Sequence, residues 1–244
     1  MTTSLHTQKT NSYQQTLYRM RRAIGWVGFG LPLALLVGVQ LFAVPMQNSM
    51  SEFFFTGLRD VFTMALGAIG LFLITYHGHP PDQGEILTDY RVSTLAGIAA
   101  LVVAFTPTLC ANAACYAPPS AMDKTLPDTL QSAIHFGAAG VFFACLAIFC
   151  LILFTKSNTA PKDQNPDKKR RNATYRTCGG IIIVMIIALL VFKLVLPDFG
   201  RRWDTAFHFT FVAEAIGVMA FGISWLIKGE TLRGAATTFL YGKG

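Results

Sequence analysis

Charge is scarce in this sequence. Asp, Glu, Lys and Arg make up 14% of its 244 residues, against 52% hydrophobic residues, and the mean hydropathy is +0.46. An ordinary soluble domain of this length cannot bury so much apolar surface, which excludes one. No cleavable secretory leader is expected either: the first 22 residues are polar, and the first apolar run is too long for a leader core. That run is expected to act as an uncleaved signal anchor. Nor is there a basic face for nucleic acid. The formal charge is +7, but the cations sit in separate loops, so no nucleic-acid partner is expected. Cysteine is sparse, with five residues. Cys110 and Cys115 fall in one loop, where a disulfide is possible in an oxidising compartment. Cys145, Cys150 and Cys178 read as small apolar packing residues. No internal repeat is visible.

What is present is long hydrophobic runs. Six stand out, at about Ala23–Val44, Phe53–Tyr76, Val92–Cys110, Leu130–Phe154, Gly179–Leu196 and Thr205–Lys228. About 20 apolar residues cross the hydrocarbon, and backbone polar groups there must be satisfied within the segment. The expectation is an all-α, multi-pass bundle of six transmembrane helices. It divides into a cytoplasmic segment (1–22), a membrane domain (23–228) and a cytoplasmic tail (229–244). Lys and Arg near span ends set orientation. With both termini in the cytoplasm, fifteen fall on the inner side and five on the outer. The inner set includes "KKRR" in the polar segment 155–177, read as a disordered basic loop. This makes the chain a multi-pass membrane protein, with membrane lipids as neighbours.

The exceptions to this greasiness carry the functional signal, because ionisable residues within spans are costly. Arg59 and Asp60 lie side by side in the second run. Arg59 is long enough to snorkel to headgroups, whereas Asp60 is expected to turn inward. Gln131, Ser132 and His135 share a face of the fourth run; Asp204, His208, Thr210 and Glu214 lie in the sixth. By contrast, 66–76, 142–154, 179–190 and 217–227 contain no Asp, Glu, Lys, Arg or His. The expected site is therefore a polar pocket beneath the outer surface. Lys193 reads as a snorkelling anchor, and Trp203 and Trp225 as interfacial aromatics. His77, His79, Asp82 and Glu85 read as a solvated loop.

The segments "SEFFFTGLRDVFTMALGAIGLFLITYHG", "IHFGAAGVFFACLAIFCLILF" and "EAIGVMAFGISWLIKGE" resemble signature stretches of uncharacterised six-helix bacterial inner-membrane proteins. More distantly, the chain is similar to the superfamily of alkaline ceramidases and progestin/adipoQ-type receptors. Those membrane hydrolases hold zinc with intramembrane His residues beside an Asp and a Ser. That resemblance implies Asp60, His135 and His208 as zinc ligands, although here there are six spans rather than seven and no His-x-x-x-His pair in the last. Three functions are open on this reading. A metal-dependent hydrolase of a lipid amide or ester would use Glu214 as base, Arg59 as anion holder, and Asp60 and Ser132 in support. A proton-coupled carrier would relay protons through Asp60 and Glu214. A non-enzymatic sensor or assembly factor would bind lipid or a partner helix at the same cluster.

Overall fold

The computed structural model describes residues 2–109, 125–157 and 165–229, with side chains from residue 15 onward. The expected Cys110–Cys115 bridge lies outside the described residues. All regular structure among the described residues is helical. Helix α1 (Thr2–Leu41) runs unbroken through Pro32. A short 3-10 turn (Ser51–Phe55) leads into α2 (Arg59–Thr75), followed by α3 (Asp89–Phe105). Helix α4 (Asp128–Ile148) and α5 (Pro166–Leu190) each end in a π-turn, Phe149–Leu153 and Val191–Val195. An amphipathic helix α6 (Pro197–Phe207) precedes α7 (Phe209–Lys228).

Four helices are long and apolar enough to cross a membrane: Gln15–Leu41, Asp128–Leu153, Pro166–Val195 and Phe209–Lys228. Helices α2 and α3 have 17 residues each, about 25 Å at the α-helical rise. The long helices alternate between the same two ends of the bundle. At one end Arg21 of α1 donates to the Tyr76 hydroxyl at the exit of α2, and Lys228 closes α7 above the Phe154 ring. At the other end His135 of α4 meets the carbonyl of Thr106 at the exit of α3, and Lys193 of α5 meets Asp204 of α6. We call these the Lys228 end and the His208 end.

Helix α7 is the buried centre, with Phe211, Val218, Phe221 and Trp225 at 2% exposure or less. Helix α5 is peripheral and shows Val184, Ile187 and Leu194 on the outside, as Met64, Leu71 and Phe105 do on α2 and α3. A water-soluble fold seldom leaves so large a contiguous apolar surface, so the outer face of this bundle suits lipid. Glycine brings the central helices together. A Cβ at Gly222 of α7 would lie 2.6 Å from the Phe29 backbone nitrogen and 2.8 Å from the Gly25 carbonyl oxygen of α1. Likewise, one at Gly97 of α3 would sit 2.5 Å from the Gly70 carbonyl of α2. Without strong hydrophobic drive between helices in lipid, such close backbone approach is what holds them.

Two expected features differ. The basic segment is not a loop throughout: Asn165 accepts from the Lys168 N–H at 2.8 Å, Pro166 occupies the first turn, and the helix runs from there into the apolar stretch. A side-chain cap and an N-terminal proline outweigh the polar composition. The sixth run is two helices, because His208 takes a left-handed conformation at φ 50°, ψ 45°.

Candidate functional site

The break at His208 organises the polar groups of that end. A left-handed backbone is unfavourable for histidine, and neighbours hold it there. Its backbone N–H donates to the Asp204 carbonyl at 3.0 Å, and its Nδ1 lies 3.0 Å from Asn48 Oδ1. The exposed amides that begin α7 then find partners across the break. Asp204 Oδ1 accepts from the Thr210 N–H at 2.8 Å, and the Asn48 carbonyl accepts from the Phe211 N–H at 2.7 Å. An anionic cap also complements the positive end of the helix dipole. Lys193 neutralises Asp204 at 2.6 Å, delivered by the π-turn that closes α5. Lys193 is thus an ion-pair partner rather than a snorkelling anchor.

Glu214 lies in the second turn of α7, half-buried. Its Oε2 accepts from the Met50 N–H at 2.7 Å, fastening α7 to the 3-10 turn before α2. Oε1 has no hydrogen-bond partner among the described residues. Across from it, His135 is 2% exposed, and its Nδ1 lies 2.6 Å from the Thr106 carbonyl oxygen. A carbonyl only accepts, so Nδ1 carries the proton and the lone pair sits on Nε2. Gln131, one turn earlier, anchors the same strut by donating to the Pro107 carbonyl at 3.0 Å.

Glu214 and His135 line one cavity of about 40 Å³, walled by Leu31, Phe62, Phe142 and Val218 with Met50 and Ser51. One water needs at least about 10–15 Å³ of such space, so the cavity admits a few waters or a small ligand. Both residues line this space, and neither Oε1 of Glu214 nor Nε2 of His135 has a hydrogen-bond partner among the described residues. The pair can accept protons or hold a polar group in apolar surroundings.

The other expected site residues lie elsewhere. Asp60 is exposed, because α2 starts only at Arg59 after a non-helical break at Thr56–Leu58. A first-turn carboxylate is stabilised by the helix N-terminus, so Asp60 does not need an inward partner. Arg59 packs its guanidinium 4.4 Å from the centre of the Phe54 ring and donates to the Phe54 carbonyl. Ser132 is half-buried and, like His208, is not part of the cavity wall. Among the described residues, no three His, Cys, Asp or Glu side chains form a group able to hold a metal ion. Of the expected ligands Asp60, His135 and His208, only His135 lines the cavity.

Several groups escaped the reading of ionisable residues by depth. Trp225, expected at the interface, is fully buried and touches Tyr76, Phe149, Phe154 and Phe221 with ring centres 4.9–5.8 Å apart. Beside this aromatic plug Cys150 donates to Ser224 Oγ at 3.2 Å. The apolar half of the bundle is thus uncharged without being free of polar groups. All three described cysteines are buried thiols. The open cleft around His77, His79 and Glu85 faces solvent, and Glu85 pairs with Lys156 there. Compared with known protein families, curated proteins and solved structures, the chain matches none.

Proposed function

We propose that all six long helices cross a bacterial inner membrane with both termini in the cytoplasm, and that the chain is a proton-linked carrier of a small polar solute. In this reading the His208 end faces outward, and Glu214 with His135 forms the coupling site. The supporting observation is that Glu214 and His135 line one small cavity. A carboxylate that gains or loses its proton as a polar solute enters beside it links the two bindings. Intramembrane acid–base groups serve as relays of this kind.

Two further features favour transport. The span carrying Glu214 begins at the left-handed His208, and a helix N-terminus, the positive end of its dipole, beside a polar site is a feature carriers use. The cavity is closed toward the Lys228 end by the Trp225–Phe149–Tyr76 cluster, a seal that would rearrange when access alternates. The lipid-hydrolase reading is weaker. It places Asp60, Ser132 and Arg59 beside the reaction, and none of them lines the cavity.

The test is a current measurement on proteoliposomes adsorbed to a solid support. They are challenged under a pH gradient with amino acids, carboxylates, amines and sugars. A solute-dependent current lost in Glu214→Gln supports the proposal. Failure of every solute class, together with lipid cleavage that needs Glu214, would replace it with the hydrolase.

A further inference from the structure

A second cavity, at the Lys228 end, has a different chemistry. It measures about 200 Å³ and collects Tyr18 and Arg21 from α1, His79 from the α2–α3 loop, Lys168 and Arg171 from α5, and Lys228 from the end of α7. Four basic side chains line it, and among the described residues no carboxylate does. Of the acids at this end, Glu85 pairs with Lys156, and Asp89 accepts the His79 backbone N–H at 2.9 Å.

Arg21 is the least accommodated of these groups. Only 5% exposed, it donates through Nη2 to the Tyr76 hydroxyl at 3.1 Å, and its Nε has no partner. Its guanidinium carbon lies 5.6 Å and 5.9 Å from the centres of the Tyr76 and Tyr18 rings. Rings help a cation but do not neutralise it. A buried guanidinium without an anion is costly, and an orphaned N–H adds the desolvation penalty of an unmade hydrogen bond. Lys168 spends donors on the Phe154 and Lys156 carbonyls, which fixes its position without cancelling its charge. The cations come from three helices that meet only in the folded bundle, so their convergence is not a by-product of one basic run. Such a convergence favours an anion.

We propose that this cavity binds a phosphate group, with Arg21 at its base and Lys168, Arg171 and Lys228 around it. Several donors spread over a wide angle suit the tetrahedral oxygens of phosphate, and arginine matches them two at a time. An apolar cavity of about 150 Å³ accepts a benzene ring, so 200 Å³ has room for the group. Basic pockets between membrane helices on the cytoplasmic side are suited to lipid headgroups, and a soluble phosphate presents the same oxygens. The phosphate site does not depend on the carrier reading, since it shares no residue with the Glu214 cavity.

The test uses the full-length protein in nanodiscs of phosphatidylcholine alone, titrated with radiolabelled inorganic phosphate. A second arm uses native mass spectrometry from micelles containing phosphatidylcholine and phosphatidylglycerol. Substitution of the buried Arg21 would probe folding as well as binding, so Lys168→Gln and Arg171→Gln carry the assay. Each is expected to weaken binding about tenfold, the worth of one charged hydrogen bond. Lys169→Gln and Arg170→Gln, exposed on the same helix, are expected to change it less than twofold, and Glu214→Gln not at all. Saturable inorganic phosphate binding with this pattern identifies a soluble ligand. Retention of phosphatidylglycerol alone, with the same pattern, identifies a lipid headgroup. Binding in neither arm, or equal losses in all four basic variants, overturns the proposal.

Discussion

The His208 end has a cavity of about 40 Å³ with one carboxylate and one imidazole in an apolar wall. The Lys228 end has one of about 200 Å³ with four basic side chains and, among the described residues, no acid in its lining. At the first, the buried acids have partners in the fold: Asp204 has Lys193 and the Thr210 amide, and Glu214 has the Met50 amide. At the second, the basic groups converge with no carboxylate among the described lining residues. A carboxylate with one oxygen bonded and one open can take a proton on the open oxygen and keep its hydrogen bond, which suits a coupling site. Cations left unbalanced among themselves await something from outside, which suits a binding site. The aromatic plug around Trp225 separates the two.

The largest expected effect breaks this division outright. Glu214→Gln should lower solute-driven current at least ~100-fold, a loss of the order seen when a proton-transfer group is removed, while phosphate binding at the other end stays unchanged. A parallel fall in both would show that the two cavities are one system. Next, Gly222→Leu should wedge α7 from α1 between the cavities. Overpacking of this kind costs about 1–3 kcal/mol or more, read as a lower thermal midpoint in detergent and loss of both activities.

Asp204→Asn leaves Lys193 without its counter-charge and weakens the cap on α7. Because Lys193 is partly exposed, the cost is expected at about 1–2 kcal/mol, between surface and buried pairs. Chemical denaturation can measure this, and a loss below a few tenths would show the pair to be ornamental. Asp60→Asn should cost about 0.5 kcal/mol or less, the worth of an exposed first-turn carboxylate, with current intact. A large loss of current would return Asp60 to the relay.

The subtlest difference is one of pH. Burial lowers the pKa of His79 below the ordinary histidine value, and the nearby Lys228, Arg21 and Lys168 cations push the same way against Asp89. The unfolded chain then binds more protons than the folded one around and below the ordinary value. The contribution is therefore present above that value and is lost as pH falls through it. Melting curves of wild type and His79→Gln should diverge there, and saturating phosphate should shrink the divergence.

The helical class of this protein and its apolar, membrane-suited character were legible from the runs of hydrophobic residues, because lipid leaves the backbone no other way to satisfy itself. Glu214 and His135 stood out by the same logic, since a titratable group inside a span is conspicuous in one dimension. Asp60 stood out equally and proved to be a helix-end residue. Whether it lies within a helix depends on where α2 starts, and that is fixed by the 3-10 turn packed under Glu214. Arg21, Lys168, Arg171 and Lys228 looked like ordinary topology-setting cations at span ends. Charge counting locates such residues along the chain but not around the bundle. Only the packing of α1, α5 and α7 turns them toward one another, because glycine contacts and helix register set the rotation of each helix about its axis. Composition thus determined the solvent this chain is built for, and tertiary contact decided which of its few charges meet.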